Sequence, residues 1–384
     1  MSARRPRSTT RPADAAPAVG DQRLLSVEGL DRLIQHLVGE GYTVVGPTIR
    51  QEAIVYDEIA SAADLPVGWT DEQGPASYRL RRRDDQARFG YVVGPHSWKR
   101  FLFPPEATLL RSRQSEAGWQ FETVDEPVPR YALLGVRACE LAALAVQDRV
   151  FDQGDYRDPI YAARRAAALV IAVNCTQAAA TCFCTSMRTG PRATAGFDLA
   201  LTELDDGYLV EVGTPAGAAV LAAVPSREAT PDAQQTAAAA RQQAIDQIER
   251  TLDTTDIRDL LLSNLNHPRW DDVAQRCLSC TNCTMVCPTC FCSSVEEVSD
   301  LAGREVERRR HWDSCFNPDF SYMNGGVVRD SIRPRYRQWL THKLASWYDQ
   351  FGTSGCVGCG RCITWCPVGI DLTEEVAAIR GEAP

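Results

Sequence analysis

Apolar positions along this chain change period several times, and each change marks an element. From Leu24 to Leu37 they recur at helical spacing (Leu24, Leu25, Leu30, Leu33, Ile34, Leu37) and stop before Gly39 and Gly41, which predicts a helix closed by glycine. Tyr42–Val45 reads as the strand that follows, and residues 50–130 as short strands and turns. Within them, Gly94–Pro105 mixes basic and aromatic residues. It is expected to be a surface strand with a solvated basic face, the sharper alternative being a docking edge for a partner or an anion. Tyr131–Val136 and Leu169–Val173 are apolar runs of strand length with helical composition from Glu140 to Val150 between them. Strand, crossover, strand predicts a parallel βαβ unit. Asp198–Val212 alternates around Asp205-Asp206-Gly207 and predicts a hairpin.

Pro225–Pro231 reads as a linker, after which helical composition dominates: Asp232–Leu252, rich in Ala and Gln, then Ile257–Leu265, the strongly charged Glu296–Arg310, and Ile332–Tyr348. The expected organisation is a disordered tail over residues 1–20, rich in Arg, Thr, Pro and Ala, and an α/β or α+β domain over 21–228. A helical linker over 229–255 and a mainly helical domain over 256–384 follow.

Composition narrows the class. A chain of 384 residues with 44% hydrophobic content builds packed cores of domain size. A formal charge of -9 disfavours nucleic acid as the main partner. No apolar run approaches the ~20 residues of a membrane span. Arg4-Arg5 is followed by Pro, Thr, Asp and Ala rather than an apolar stretch, so an export signal is not expected and a cytoplasmic location is. The chain has 15 cysteines, an odd number. In a large chain with cysteines grouped at metal-ligand spacing, reduced thiols fit better than disulfides.

Eight of those cysteines form one pattern written twice. Cys277-x-x-Cys280-x-x-Cys283-x-x-x-Cys287-Pro288 recurs as Cys356-x-x-Cys359-x-x-Cys362-x-x-x-Cys366-Pro367. This is the spacing of a two-cluster ferredoxin, in which the fourth cysteine of each run ligates the other run's [4Fe–4S] cluster. It assigns Cys277, Cys280, Cys283 and Cys366 to cluster one, and Cys356, Cys359, Cys362 and Cys287 to cluster two. Zinc, which also takes paired CxxC ligands, is the competing reading, though zinc sites usually stop at two pairs. Cys139 follows the first βαβ strand and Cys175 the second, so both fall at the carboxyl edge of one sheet, where open α/β sheets place their sites. Cys182 and Cys184 lie close by in sequence. Four thiols on one rim match the requirement of a third cluster; ordinary buried free cysteines are the alternative. Cys290, Cys292 and Cys315 read as structural thiols packed against the cluster shell, with a substitute ligand or a hydrogen-bonding role as the other reading. There is no G-x-G-x-x-G after a strand and no Walker A sequence, and Gly213-Thr-Pro-Ala-Gly217 is too loose to count. No nucleotide or flavin is expected on this chain, and no catalytic residue.

Longer motifs carry a resemblance. Gly135-Val136-Arg137-Ala138-Cys139-Glu140-Leu141, Val173-Asn174-Cys175, Thr181-Cys182-Phe183-Cys184-Thr185-Ser186-Met187, Thr189-Gly190-Pro191, the run Cys280–Cys292, Trp312-Asp313-Ser314-Cys315 and Cys356–Cys362 together resemble the beta subunit of cytosolic NAD(P)-linked [NiFe]-hydrogenases, the sulfhydrogenases. The chain is also similar to the A subunit of anaerobic sulfite reductase. Glu140 departs from the pattern, where aspartate is expected, and a slight effect on function is anticipated. The resemblance implies an electron relay between a flavin subunit that handles NAD(P)H and the small and large [NiFe]-hydrogenase subunits. The alternatives are an electron-transfer subunit of anaerobic sulfite reductase and, from another class, a zinc-bound scaffold protein.

Overall fold

The computed structural model describes residues 16–124 and 127–381; most of the expected tail, including Arg4-Arg5, lies outside them. Eight strands form one mixed sheet in the order Arg227–Glu228, Gln22–Ser26, Gly207–Val212, Leu199–Leu204, Leu169–Val173, Tyr131–Val136, Thr43–Arg50, Ala53–Glu58. Its centre is parallel: 43–45 pair with 131–133, 132–136 with 169–172, and 171–173 with 199–201. The βαβ unit and the 198–212 hairpin are therefore as expected. Alternate residues of the central strands enter two cores. Ala132, Leu134, Ile171 and Val173 pack with Leu30, Leu33 and Ile34 of the helix Val27–Gly39. Leu133, Val136, Val170 and Ala172 pack with Leu141, Leu144 and Phe151 of the helix Ala138–Phe151. A sheet covered on both faces accounts for the unbroken apolar run Leu-Val-Ile-Ala-Val.

Three expectations need correcting. Leu24 and Leu25 are not helical: Gln22–Ser26 is a strand paired with 207–211, and the helix starts only after Ser26, whose hydroxyl accepts from Gly29 N at 3.0 Å. A period-3.6 reading cannot separate a short strand from the helix that follows when both bury leucines. Gly94–Pro105 is not a surface strand. Trp98, Lys99, Leu102 and Phe103 are buried, Lys99–Leu102 is a short helix, and Trp98 stacks on Tyr56 with centroids 3.9 Å apart. Its aromatic content, rather than its charge, decided where it went.

The third correction concerns the cysteine-rich half. Helices Ile257–Ser263, Arg269–Arg276, Ile332–Thr341 and Leu372–Arg380 do enclose a core of Leu261, Trp270, Tyr336, Trp339, Leu344, Ile363 and Val376. Glu296–Arg310, however, is not a helix. Ser293–Ser299 and Glu305–Trp312 form an antiparallel hairpin turning at Asp300–Arg304. The second of these strands pairs with Glu106–Ser115, which in turn pairs with Gly118–Thr123. The insert thus completes a four-stranded sheet with the N-terminal half, and the domain is mixed rather than mainly helical. Glu and Arg favour helix only weakly. Here their charges pair across strands instead, Arg111 with Glu307 at 3.0 Å and Arg113 with Glu305 at 2.9 Å.

A second link between the halves is a buried ion pair. Arg361, inside the second cysteine run, meets Glu140 near the start of the helix Ala138–Phe151, and their side chains are 0% and 1% exposed. The Glu140 carboxylate also accepts from Tyr56 Oη at 2.8 Å, Trp98 Nε1 at 3.0 Å and Arg137 N at 3.1 Å. Arg361 donates further to Gly94 O at 2.9 Å and His96 O at 3.0 Å. Removing one member of such a pair leaves the other charge buried and uncompensated. Glu140→Ala is expected to cost about 3–5 kcal/mol, read as a lowered unfolding midpoint of the anaerobically prepared chain. A loss under ~1 kcal/mol would mean that water reaches the site and that the pair is not a dry link.

Candidate iron–sulfur site

The first cysteine run leaves the helix Arg269–Arg276 at Cys277, and the second brackets the short helix Arg361–Thr364, with Cys356 and Cys359 before it, Cys362 within it and Cys366 just after it. Cys277, Cys280 and Cys283 line one apolar cavity together with Cys366 of the other run, and Phe316, Tyr336, Trp339 and Ile370 complete its wall. Cys362 reaches the same wall. Conversely, the thiols that act electrostatically on Cys362 are Cys356, Cys359 and Cys287. Each run's last cysteine therefore stands among thiols of the other run. Among the described residues no three thiols, imidazoles or carboxylates close on a point that could hold a single metal ion. The sulfurs are instead spread around a cavity, which suits a polynuclear cluster with irons at its corners. Backbone N–H groups already point at the sulfurs: Ser279 N to Cys277 Sγ at 3.4 Å and Ile370 N to Cys366 Sγ at 3.3 Å.

The sheet rim delivers the other four cysteines to a place directly beside the second run. Gly135, at φ +98, breaks the register of the strand Tyr131–Val136, and such an irregularity at a strand end re-aims the chain beyond it. Cys139 follows on the first turn of the helix Ala138–Phe151. Cys139, Cys182 and Cys184 share an apolar cluster with Val92, Val93, Ala143 and Val357, with Cys359 packed against it. Cys175 lies next to the Arg137 guanidinium and acts electrostatically on Cys182 and Cys184. Burial pushes all four thiols up, Cys182 to about 12, so metal would have to displace protons to bind there. The donor set of soft thiols in a dry pocket fits an iron–sulfur cluster.

The two runs differ in one instructive respect. Ser279 and Thr281 adopt left-handed conformations, φ +53 and +68, and the equivalent Gly358 and Gly360 do the same, φ +65 and +74. Glycine is required only in the second run. A Cβ at 358 would lie 2.6 Å from Phe183 O, and one at 360 would lie 2.4 Å from Thr181 O. Phe183 N donates to Gly358 O at 2.9 Å and Thr189 Oγ1 to Val357 O at 2.6 Å. The 181–189 segment is thus moulded onto the second run.

Comparison with known proteins agrees with this geometry. Residues 276–370 match the 4Fe-4S dicluster domain family. Sulfhydrogenase 2 subunit beta of Pyrococcus furiosus is 30% identical over 291 residues, covering 74% of this chain and 84% of the relative. The chain belongs to the sulfhydrogenase beta subunit family. No solved structure matches it. Membership makes it an iron–sulfur, electron-transfer component of an oxidoreductase. Among the described residues no helix is long and apolar enough to cross a membrane.

For this member of the family, two side chains beside the sulfurs were not legible as site residues. Arg361 lies against Cys359 as well as Glu140; a charge inside a buried cysteine loop was the only hint of it. Lys343 sits in a π-helical turn, His342–Ser346, and reaches Cys287 Sγ at 3.2 Å and Cys290 Sγ at 3.4 Å. Such turns recur at functional sites, but sequence does not announce them. The Cys290 thiol, the Lys343 ammonium and the Thr289 hydroxyl together hold Cys287 well below the usual thiol range, against the effect of burial. A cation beside a cluster thiolate favours the reduced, more negative state. Lys343→Met is therefore expected to lower the reduction potential of the cluster nearest Cys287, measured by EPR-monitored titration. Losing ~1.4 kcal/mol of differential stabilisation corresponds to ~60 mV in a one-electron couple; an unchanged potential would show that the amine is neutral there.

Proposed function

We propose that this chain is the electron-relay subunit of a cytoplasmic NAD(P)-linked hydrogenase complex, standing between a flavin- and NAD(P)H-binding subunit and the [NiFe]-hydrogenase small and large subunits. In this reading Cys277, Cys280, Cys283 and Cys366 hold cluster one, and Cys356, Cys359, Cys362 and Cys287 hold cluster two, within a domain that spans 256–384. Cys139, Cys175, Cys182 and Cys184 of the 21–228 domain hold a third cluster. The observation that carries it is the apolar packing of Cys139, Cys182 and Cys184 against Cys359, which supports three centres in series. Iron–sulfur clusters supply one-electron transfer between a two-electron flavin and a distant centre. The chain's own residues set the spacing, exclude water and donate hydrogen bonds to sulfur.

Two measurements test the reading. Anaerobic purification of the native complex should yield flavin, nickel and at least about twelve irons per copy of this chain, four for each cluster. A sirohaem partner would move it to a sulfite reductase, and a colourless zinc-bound chain would end the relay reading. Separately, Cys366→Ser should alter the EPR signal of the cluster on Cys277, Cys280 and Cys283. If only the cluster on Cys356, Cys359 and Cys362 responds, the crossed ligation is wrong.

A further inference from the structure

Three cysteines remain outside these sites, and the fold gathers them. Cys290 and Cys292 end the segment leading into the hairpin strand Ser293–Ser299, and Cys315 follows the strand Glu305–Trp312 that returns beside it. Ser293 is in register with Trp312, and Asp313 N donates to Cys292 O at 2.8 Å, so the hairpin base sets 292 and 315 side by side. Their thiols lie close enough to perturb each other, and all three cysteines line one cavity of about 580 Å³.

Two buried lysines stand beside Cys290. Lys343 is 2% exposed and lies 3.4 Å from Cys290 Sγ; Lys99 is 3% exposed, with its Nζ 3.0 Å from Cys290 O. Among the described residues neither lysine pairs with a carboxylate. Trp339 and Trp347 line the cavity as well, and their buried indole N–H groups have no hydrogen-bond partner. Burying two amines and two free N–H groups around three thiols is costly unless an anionic, acceptor-rich group stands among them. A single metal ion does not fit, because no three of the described donors close on one point. An iron–sulfur cluster does: its sulfides and thiolates accept hydrogen bonds and carry net negative charge.

We propose that Cys290, Cys292 and Cys315 ligate a further iron–sulfur cluster, whose fourth coordination position is left without a cysteine and opens into the cavity. The site goes beyond the three-centre relay and depends on it only in being next to Cys287. An iron without a protein thiolate is accessible to a small exogenous ligand, which distinguishes this centre from sites closed by four cysteines.

The experiment uses the full chain, reconstituted anaerobically with iron and sulfide. Cys315→Ser and Cys292→Ser should each lose about four irons and four sulfides per chain, while the EPR signals of the two dicluster centres persist. Unchanged iron with one fewer alkylatable thiol would overturn the proposal and leave structural cysteines. Should either variant misfold, the wild-type holo-chain decides. Cys290, Cys292 and Cys315 should resist alkylation until iron is chelated, whereas labelling of Cys292 and Cys315 with iron and dicluster signals intact overturns the proposal. A wild-type chain that binds no iron would overturn the dicluster reading itself, and this proposal with it.

Discussion

The contact on which the rest depends is the dry ion pair between Glu140 and Arg361. It joins the helix that carries Cys139 to the second cysteine run, in which Cys359 precedes the short helix Arg361–Thr364 and Cys362 lies within it. A charge pair this deep contributes little net stability, because desolvation offsets most of the attraction. What it contributes is position. Glu140 has four donors and Arg361 three acceptors, all fixed by backbone or aromatic neighbours, so neither side chain has an alternative place to satisfy its charge. The two cysteine regions are consequently held in one register. The Glu140 side chain accepts from Tyr56 and Trp98 while still reaching the guanidinium.

Around that link the molecule solves one electrostatic problem repeatedly. Buried thiols resist ionisation, and burial pushes most of these cysteines up. Thiolates are nonetheless what a cluster needs. The chain meets the requirement with donors rather than carboxylates. Backbone N–H groups reach Cys277 and Cys366, Lys343 reaches Cys287, and Arg137 and Arg361 stand beside Cys175 and Cys359. A cation beside a cluster thiolate favours the reduced state, so in the proposed relay folding and redox tuning would share the same residues.

The sequence and the structure diverge where a residue's preference is weak and its partner distant. Glu296–Arg310 has helical composition, yet the open edge of Glu106–Ser115 supplied hydrogen bonds and opposite charges that a lone helix could not match. Trp98 and Phe103 sat in a stretch whose basic residues implied solvent, but two aromatic rings gain more from burial than neighbouring charges lose. Leu24 and Leu25 fit a helical period by coincidence, since a strand and a helix in tandem both bury leucine.

Local pattern alone determined the parallel core strands, the two interleaved cysteine runs and the rim position of Cys139 and Cys175. These rest on short-range rules: the period of apolar residues, the βαβ connection and the ligand spacing of a cluster. Tertiary structure decided the rest. It alone moulded the 181–189 segment onto Gly358 and Gly360, aimed Lys343 at Cys287 and closed the Glu140–Arg361 pair. Each of these joins residues far apart in the chain through steric fit or a buried charge, and neither leaves a periodic trace in sequence.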